Sequence, residues 1–444
     1  MLNRLHQPAE DIVDSAVQAV AERAQDHVDA TRLAASLAAL AQFGGRDDGG
    51  VSRETLTAID LAARRHLVEQ ARALGCQVCI DDCGNLFFRR AGSEDLPPVL
   101  TGSHADTQPV GGKYDGAYGV LAGLEVIAAL NAAGIETVRP IEVVSWTNEE
   151  GSRFGPGAMG SSAFVDPARL VGYRDAADQA GVRFGDALDA ALAASPDVDR
   201  VPMARPMSAC VELHIEQGPV LEAAAVPLGV VTGIQAVRWF RVECAGTMAH
   251  AGTTPMAVRR DAMAVAVAIA QDLYALAPRE PGAPGQPELR LTLGQWTVVP
   301  NSVNTIPGKV TFTVDMRCLD DAALDRAEAA LRLACTRHAP ASDVAVTRFF
   351  HRGPTYFPEA MLASIQRACA RASQLAGRAP PMRLTSGAFH DAMYVADHCP
   401  TAMIFVPSKD GISHNAAEDT DATDLFLGAQ ALAYTVAELA CRRP

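Results

Sequence analysis

Seven side chains of the kinds that bind divalent metals or move protons recur along this chain, each close to the end of an apolar run. They are His104 and Asp106 in TGSHADTQP, Asp115 in GGKYDGAYG, Glu149 and Glu150 in WTNEEGSRFGP, His214 in ELHIEQGP and His414 in ISHNAAED. Imidazole and carboxylate donors together suit zinc, manganese, cobalt or nickel. A hydrolase that uses a pair of cations needs histidines, a carboxylate able to bridge, and a further carboxylate outside the ligand set to handle protons. The residue types for that chemistry are all present.

Taken singly, each signal has a plainer reading. His104 and Asp106 are two apart, so on a strand they share a face, but an HxD pair is often only structural. Asp115 lies among Gly111, Gly112, Gly116 and Gly119, where the backbone is free to take unusual dihedrals; the alternative is a turn aspartate. Glu149 and Glu150 follow the apolar IEVVSWTN, and two adjacent buried carboxylates cannot both stay ionised cheaply without a cation. One as ligand and one as proton shuttle is the natural division. Alternation in VELHIEQGP places Glu212, His214 and Glu216 on one strand face, a costly set without a metal or a strong network. A helix starting near Asn415 would turn His414 and Glu418 to one cleft. His250, in GTMAHAGTTPM, suits a mobile or interface loop or a plain surface position. Arg317 ends a strand and can grip a carboxylate with two prongs or form an ordinary ion pair.

Composition narrows the classes. With 38 Lys and Arg against 52 Asp and Glu the formal charge is −14, which argues against broad nucleic-acid binding. No run reaches the roughly 18 apolar residues of a membrane span. Residues 1–30 mix acidic and basic residues among alanines without a signal-peptide core, so a cytoplasmic location is expected. Ten cysteines fit that expectation if reduced and buried. Cys76, Cys79 and Cys83 lack a second CxxC pair and read as a hairpin rather than a thiolate site.

Elements must carry these residues to one place. Helical spacing marks 31–43 and 55–75, with Gly75 placed to end the second. A hairpin over Cys79–Arg89 follows, then a buried strand ending in SHADT, a helix over Val120–Ala133 and a strand Ile141–Trp146. Strand, helix and strand in succession predict an α/β fold with a mainly parallel sheet, in which functional groups gather at the strands' carboxyl ends. From about residue 225 the pattern changes to strands at Val226–Val231, Arg238–Ala245, Leu289–Val298 and Lys309–Arg317, with helices at Arg259–Leu276 and Leu324–His338. PREPGAPGQPE at 278–288 reads as a loop. The expected domains are therefore a catalytic domain in two parts, 1–224 and 342–444, around an inserted α+β domain at 225–341.

The segments GSHADTQPVGGKYDG, WTNEEGSRFGP, ELHIEQGP, AHAGTTPM, NSVNTIPG, SGAFHDA and ISHNAAE together resemble the M20-type metallo-amidohydrolases, in the hydantoinase/carbamoylase branch. That branch holds N-carbamoyl-L-amino acid hydrolases, β-ureidopropionases and allantoate amidohydrolases. The resemblance runs from about Thr31 to the end. It implies a dinuclear metallohydrolase domain with an inserted lid that also forms a homodimer. It also implies two divalent metal ions per subunit, zinc first, with manganese, cobalt or nickel as alternatives. Carried over by motif, Asp115 bridges, His104 and His214 complete one metal site, and Glu150 and His414 complete the other. Glu149 acts as general base and acid, Asp106 supports His104, and His250 reaches a neighbouring active site to polarise the scissile carbonyl. Gln217, Asn301, Arg317 and His390 take substrate-contact positions, Arg317 holding the substrate carboxylate. Two departures stand out: Ala105 where leucine is common, and Phe389 where glycine is usual, beside His390. The implied activity is hydrolysis of the ureido group of N-carbamoyl-L-amino acids or N-carbamoyl-β-alanine. Allantoate hydrolysis, an aminoacylase or peptidase of the wider superfamily, and an inactive metal-binding scaffold are the alternatives.

Overall fold

The computed structural model describes residues 9–277 and 288–443, with side chains described from residue 15 onward. The loop expected at 278–288 lies, but for Glu288, outside the described residues. The chain forms two compact units, one from Met1–Thr232 with Phe357–Pro444 and one from Gly233–Tyr356.

The first unit is built on a mixed sheet. Its strands run in the order Gly229–Ile234, Thr401–Val406, Ala209–Ile215, Val99–His104, Ile141–Trp146, Leu86–Arg90, Gln77–Ile80 and Asp199–Arg200. The four strands from Thr401–Val406 to Ile141–Trp146 are parallel to one another. Antiparallel partners flank them: Gly229–Ile234 on one side, Leu86–Arg90 on the other. The architecture is thus mixed α/β with a mainly parallel centre. All four parallel strands are buried along their whole length. Strands covered on both faces by helices cannot alternate polar and apolar residues, which is why VLTGSH and IEVVSW read as near-continuous runs.

Helix Ala117–Ala132 crosses between two of these strands and is buried over nearly all its surface; its AYGVLAGLEVIAAL sequence lacks a polar stripe. Helix Ala422–Cys441 packs on it and on Glu359–Leu375, and helix Ala9–Asp26 packs on Ala422–Cys441 in turn. That first helix was not anticipated: its mixed polarity shows which side chains stay outside, while Ala21, Ala24 and Gln25 are fully buried. Helix Ala58–Ala73 starts where the Thr57 hydroxyl accepts the Asp60 N–H. Gly75, at φ +81°, ends it, and the Cys76 N–H returns to Ala71 O at 3.0 Å. The Cys79–Arg89 hairpin forms as expected, with Val78 opposite Phe88. All ten cysteines are free thiols, and none joins a metal-binding group among the described residues.

The second unit holds an antiparallel sheet in the order Arg290–Thr292, Lys309–Cys318, Ala236–Ala245, Val344–Arg352. The expected single strand Leu289–Val298 is two short ones, Arg290–Thr292 and Trp296–Val299, separated around Gly294; both pair with Lys309–Cys318. Helices Ala262–Tyr274 and Asp321–His338 close its core over Phe240, Phe312 and Met316. Among the described residues no helix is long and apolar enough to cross a membrane.

Candidate functional site

Four parallel neighbouring strands present their carboxyl ends along one edge, and the polar segments that follow them meet there. His104 is the last residue of its strand and faces Trp146, the last of the next, in the ladder. Glu149 and Glu150 follow Trp146 by three and four residues. His214 is next to last in Ala209–Ile215, whose Ile215 pairs with Val406, and His414 lies in the loop beyond Val406. No helix begins near Asn415; His414 and Glu418 sit in a turn region before Ala422–Cys441.

Asp115 stands at the centre. Its Oδ1 is 3.2 Å from His214 Nε2 and 3.8 Å from His104 Nε2, and its Oδ2 is 3.2 Å from His414 Nε2. The same His414 nitrogen is 3.3 Å from Glu150 Oε2. The two oxygens of one carboxylate thus face two different donor sets: His104, Asp115 and His214 in one, Asp115, Glu150 and His414 in the other. The loop geometry is exacting. Gly116 has φ +61°, and a Cβ there would lie 2.4 Å from the His104 ring. A Cβ on Gly112 would fall 2.0 Å from the Glu418 carboxyl, whose Oε1 accepts the N–H groups of Tyr114 and Asp115. Glu418 therefore shapes the loop that carries Asp115, a task no sequence pattern announced.

The electrostatics follow from crowding in a dry place. Burial alone would raise Asp115, but hydrogen bonds from His214 and His414 outweigh it and hold the carboxyl well below its usual range. Burial would lower His214, but Asp115 and Glu212 together outweigh it, while at His414 the hydrogen bond to Asp115 leads and exceeds burial; both reach about 9. Burial takes His104 down to about 4. Burial, then the charges of Asp391 and Glu150, push Glu149 far up. Burial and Asp115 raise Glu150 to about 8. These buried carboxylates and imidazoles form groups that could hold a divalent cation.

Asp106 differs from expectation in detail. The group within hydrogen-bond distance of His104 Nδ1 is the Asp106 carbonyl, at 3.0 Å; the carboxylate is at 3.7 Å. That carboxylate instead accepts the N–H of Glu149 at 3.3 Å and of Glu150 at 3.4 Å. Asp106 thus orients the imidazole through its backbone and the glutamate pair through its side chain. Glu149 Oε2 is 3.6 Å from His104 Nε2, beside the first donor set and outside it.

Gln217 joins the cluster: its Nε2 donates to Asp115 Oδ2 at 3.0 Å and to Ser413 Oγ at 3.2 Å. Its Oε1 is buried with no hydrogen-bond partner among the described residues. Gln217 and His414 both have φ near +55°, at 57° and 54°. Glu216 does not join; it caps helix Val220–Ala223, accepting from Val220 and Leu221. His390 is buried edge-on to His214, ring centroids 4.6 Å apart, with its Nε2 3.0 Å from Ser386 Oγ. Phe389 packs against Tyr394. His250, Asn301 and Arg317 belong to the second unit. His250 Nδ1 accepts the N–H of Gly252 and Thr253, Asn301 has φ +58°, and Arg317 pairs with Asp315 in its own strand at 2.9 Å.

Known proteins with related chains bear on what this arrangement does. The chain is similar to a Geobacillus stearothermophilus protein described as N-carbamoyl-L-amino acid amidohydrolase, 39% identical over 92% of this chain and 98% of the relative. It is also similar to the Escherichia coli (strain K12) allantoate amidohydrolase, 36% identical over 91% of this chain and 96% of that one. Its fold is similar to the crystal structure of an amidase of the hydantoinase/carbamoylase family from Burkholderia vietnamiensis, with a TM-score of 0.82 and 43% identity over 94% of this chain and 98% of that one. Residues 100–438, which contain every member of the donor cluster, match the model of peptidase family M20/M25/M40, and the chain belongs to that family.

Proposed function

We propose that the chain is a metal-dependent amidohydrolase that cleaves the ureido group of N-carbamoyl-L-amino acids or N-carbamoyl-β-alanine, releasing the amino acid, carbon dioxide and ammonia. The observation that carries the reading is Asp115, whose two oxygens face separate donor sets in reach of a further carboxylate, Glu149. The donors are imidazole and carboxylate, the pattern suited to two divalent cations, zinc first. His104 and His214 would hold one with Asp115, and Glu150 and His414 the other. Bound there, the cations supply Lewis acidity to a carbonyl oxygen and lower the pKa of water.

The chain's own residues do the rest. Glu149, buried and outside both sets, takes a proton from the attacking water and returns it to the leaving nitrogen. The Gln217 amide, fixed by Asp115 and Ser413 with its oxygen unengaged, offers an acceptor to a ureido N–H. For His250, Asn301, Arg317 and His390 the support is the match of their motifs. In this reading His250 polarises the carbonyl, while Arg317 grips the substrate carboxylate in place of, or beside, its Asp315 contact. Homodimer formation through the second unit rests on the same match, and light scattering on the purified protein tests it.

Allantoate is the second reading, favoured by the similarity to a protein described as an allantoate amidohydrolase. Both substrates carry a ureido group and a carboxylate. Ammonia release from a panel of N-carbamoyl-α-amino acids, N-carbamoyl-β-alanine and allantoate, after loading with zinc, manganese, cobalt or nickel in turn, decides between them. Absence of ammonia release from every member with every metal would sink the proposal.

A further inference from the structure

Arg53 lies outside every motif that points to the site, yet it is one of the largest fully buried side chains, 1% exposed. Its Nε donates to Ala105 O at 2.7 Å, and its Nη1 to Leu40 O at 3.1 Å and Phe43 O at 2.8 Å. The backbone of the same residue adds two bonds to the same loop: its N–H donates to Thr107 Oγ1 at 2.8 Å, and its carbonyl accepts the Thr107 N–H at 3.0 Å. Arg53 therefore grips residues 105 and 107, on either side of Asp106.

Asp106 is where both halves of the site converge. Its carbonyl is set against His104 Nδ1 and its carboxylate receives the N–H groups of Glu149 and Glu150. Rotating the peptides at 105–107 would move all three. A neutral residue would be the simpler choice at a buried position, because removing a guanidinium from water is costly. Burial still lowers the guanidinium to about 10, but the cost is partly offset by carbonyls around the C-terminal turn of helix Ala30–Ala41, where a cation is favoured, and by the nearby carboxylates of Asp60 and Asp106. Only a planar fork reaches Ala105 O in one direction and the Leu40 and Phe43 carbonyls in another.

We infer that Arg53 is a positioning residue: by clamping the peptides around Asp106 to the end of helix Ala30–Ala41, it holds His104 and the Glu149–Glu150 pair in the geometry that retains divalent cations. The inference rests on the assignment of His104 and Glu150 as metal ligands.

The test is metal retention. Zinc-loaded enzyme is mixed with a chromogenic chelator, and the rate of zinc release is followed for wild type, Arg53→Lys, Arg53→Met, His104→Ala and Leu331→Ala. Leu331 is a fully buried residue of the second unit's core and serves as a control for general destabilisation. Arg53→Lys and Arg53→Met should release zinc at least tenfold faster than wild type, with kcat reduced and KM changed less than twofold. Leu331→Ala should melt earlier and release zinc at the wild-type rate. If Arg53→Met does not fold, Arg53→Lys and Thr107→Val, which removes one bond of the clamp, carry the test with the same expected direction. Wild-type release from the Arg53 variants, beside fast release from His104→Ala, overturns the positioning role. Release from Leu331→Ala as fast as from the Arg53 variants also overturns it, since retention would then follow stability alone. Wild-type release from His104→Ala overturns the ligand assignment instead.

Discussion

Glu149 and Glu150 have the same side chain, follow the same strand and are adjacent, yet their surroundings separate their chemistry. Glu150 Oε2 meets His414 and accepts the Gln108 side-chain amide at 2.7 Å, and its Oε1 accepts the Gln108 N–H at 3.1 Å, so both oxygens are engaged around the second donor set. Among the described residues, the Glu149 carboxylate meets the edge of the first set, at His104. Replacing Glu149 by Gln keeps the shape and removes the proton acceptor. Turnover should fall by roughly 10²–10⁴-fold, the usual contribution of a placed general base, while elemental analysis shows metal content unchanged. Near-normal ammonia release would remove Glu149 from this role. Asp115→Asn makes the complementary case. An amide cannot offer two anionic oxygens, so bound metal should drop at both sites together. Loss from one site alone would contradict the bridging role.

At the scale of elements, the strands place the residues and the loops after them adjust the fit. The apolar runs before His104 and Glu149 show in the sequence because strands buried on both faces are mostly apolar, whereas the equally buried strand before His214 carries Glu212 and alternates. The ends of the first two strands were visible for the same reason, as the point where polar residues resume. What the sequence did not show was contact between distant segments. Arg53 and Glu418 act on the site through backbone groups, and a carbonyl or an N–H leaves no trace in residue type. Spacing predicts that Asp106 lies near His104 and does not say that its carbonyl, at 3.0 Å, is the group within hydrogen-bond distance. Gly116 was legible as flexible and not as sterically required. Alanine at that position would have to share space with the His104 ring and keep φ at +61° with ψ at −48°, a γ-turn-like conformation that is rare and strained for a residue with a Cβ. Gly116→Ala should therefore weaken the His104 and His214 site selectively, moving bound metal toward one ion per chain. Two ions retained at wild-type affinity would show that the ring has room to move.

At the scale of the whole molecule, every member of the donor cluster comes from the first unit, yet they are drawn from distant parts of the chain, from His104 to His414. Cations bound there would tie together four parallel strands through the loops at their ends. Without them, the same loops confine a group of carboxylates whose mutual repulsion and burial oppose folding. Binding that favours the folded state stabilises it by mass action, about 2.7 kcal/mol for each site when free metal is at 100 times its Kd. For a unit of this size that is a rise in Tm of roughly 4 °C per ion. Dialysis against a chelator should lower the Tm by about this amount for each ion removed, roughly 8 °C for two, and adding back zinc should restore it. Hydrogen exchange locates the effect: removal of metal should speed exchange at residues 104–106, 115–116, 149–150 and 413–414. The sheet of the second unit, over Ala236–Ala245 and Lys309–Cys318, contributes no donor and should exchange at an unchanged rate. A chelator that leaves both Tm and these exchange rates unaltered, while metal analysis shows the sites stripped, would mean that the cluster tolerates its own charge, and the view of it as a set built around cations would fail.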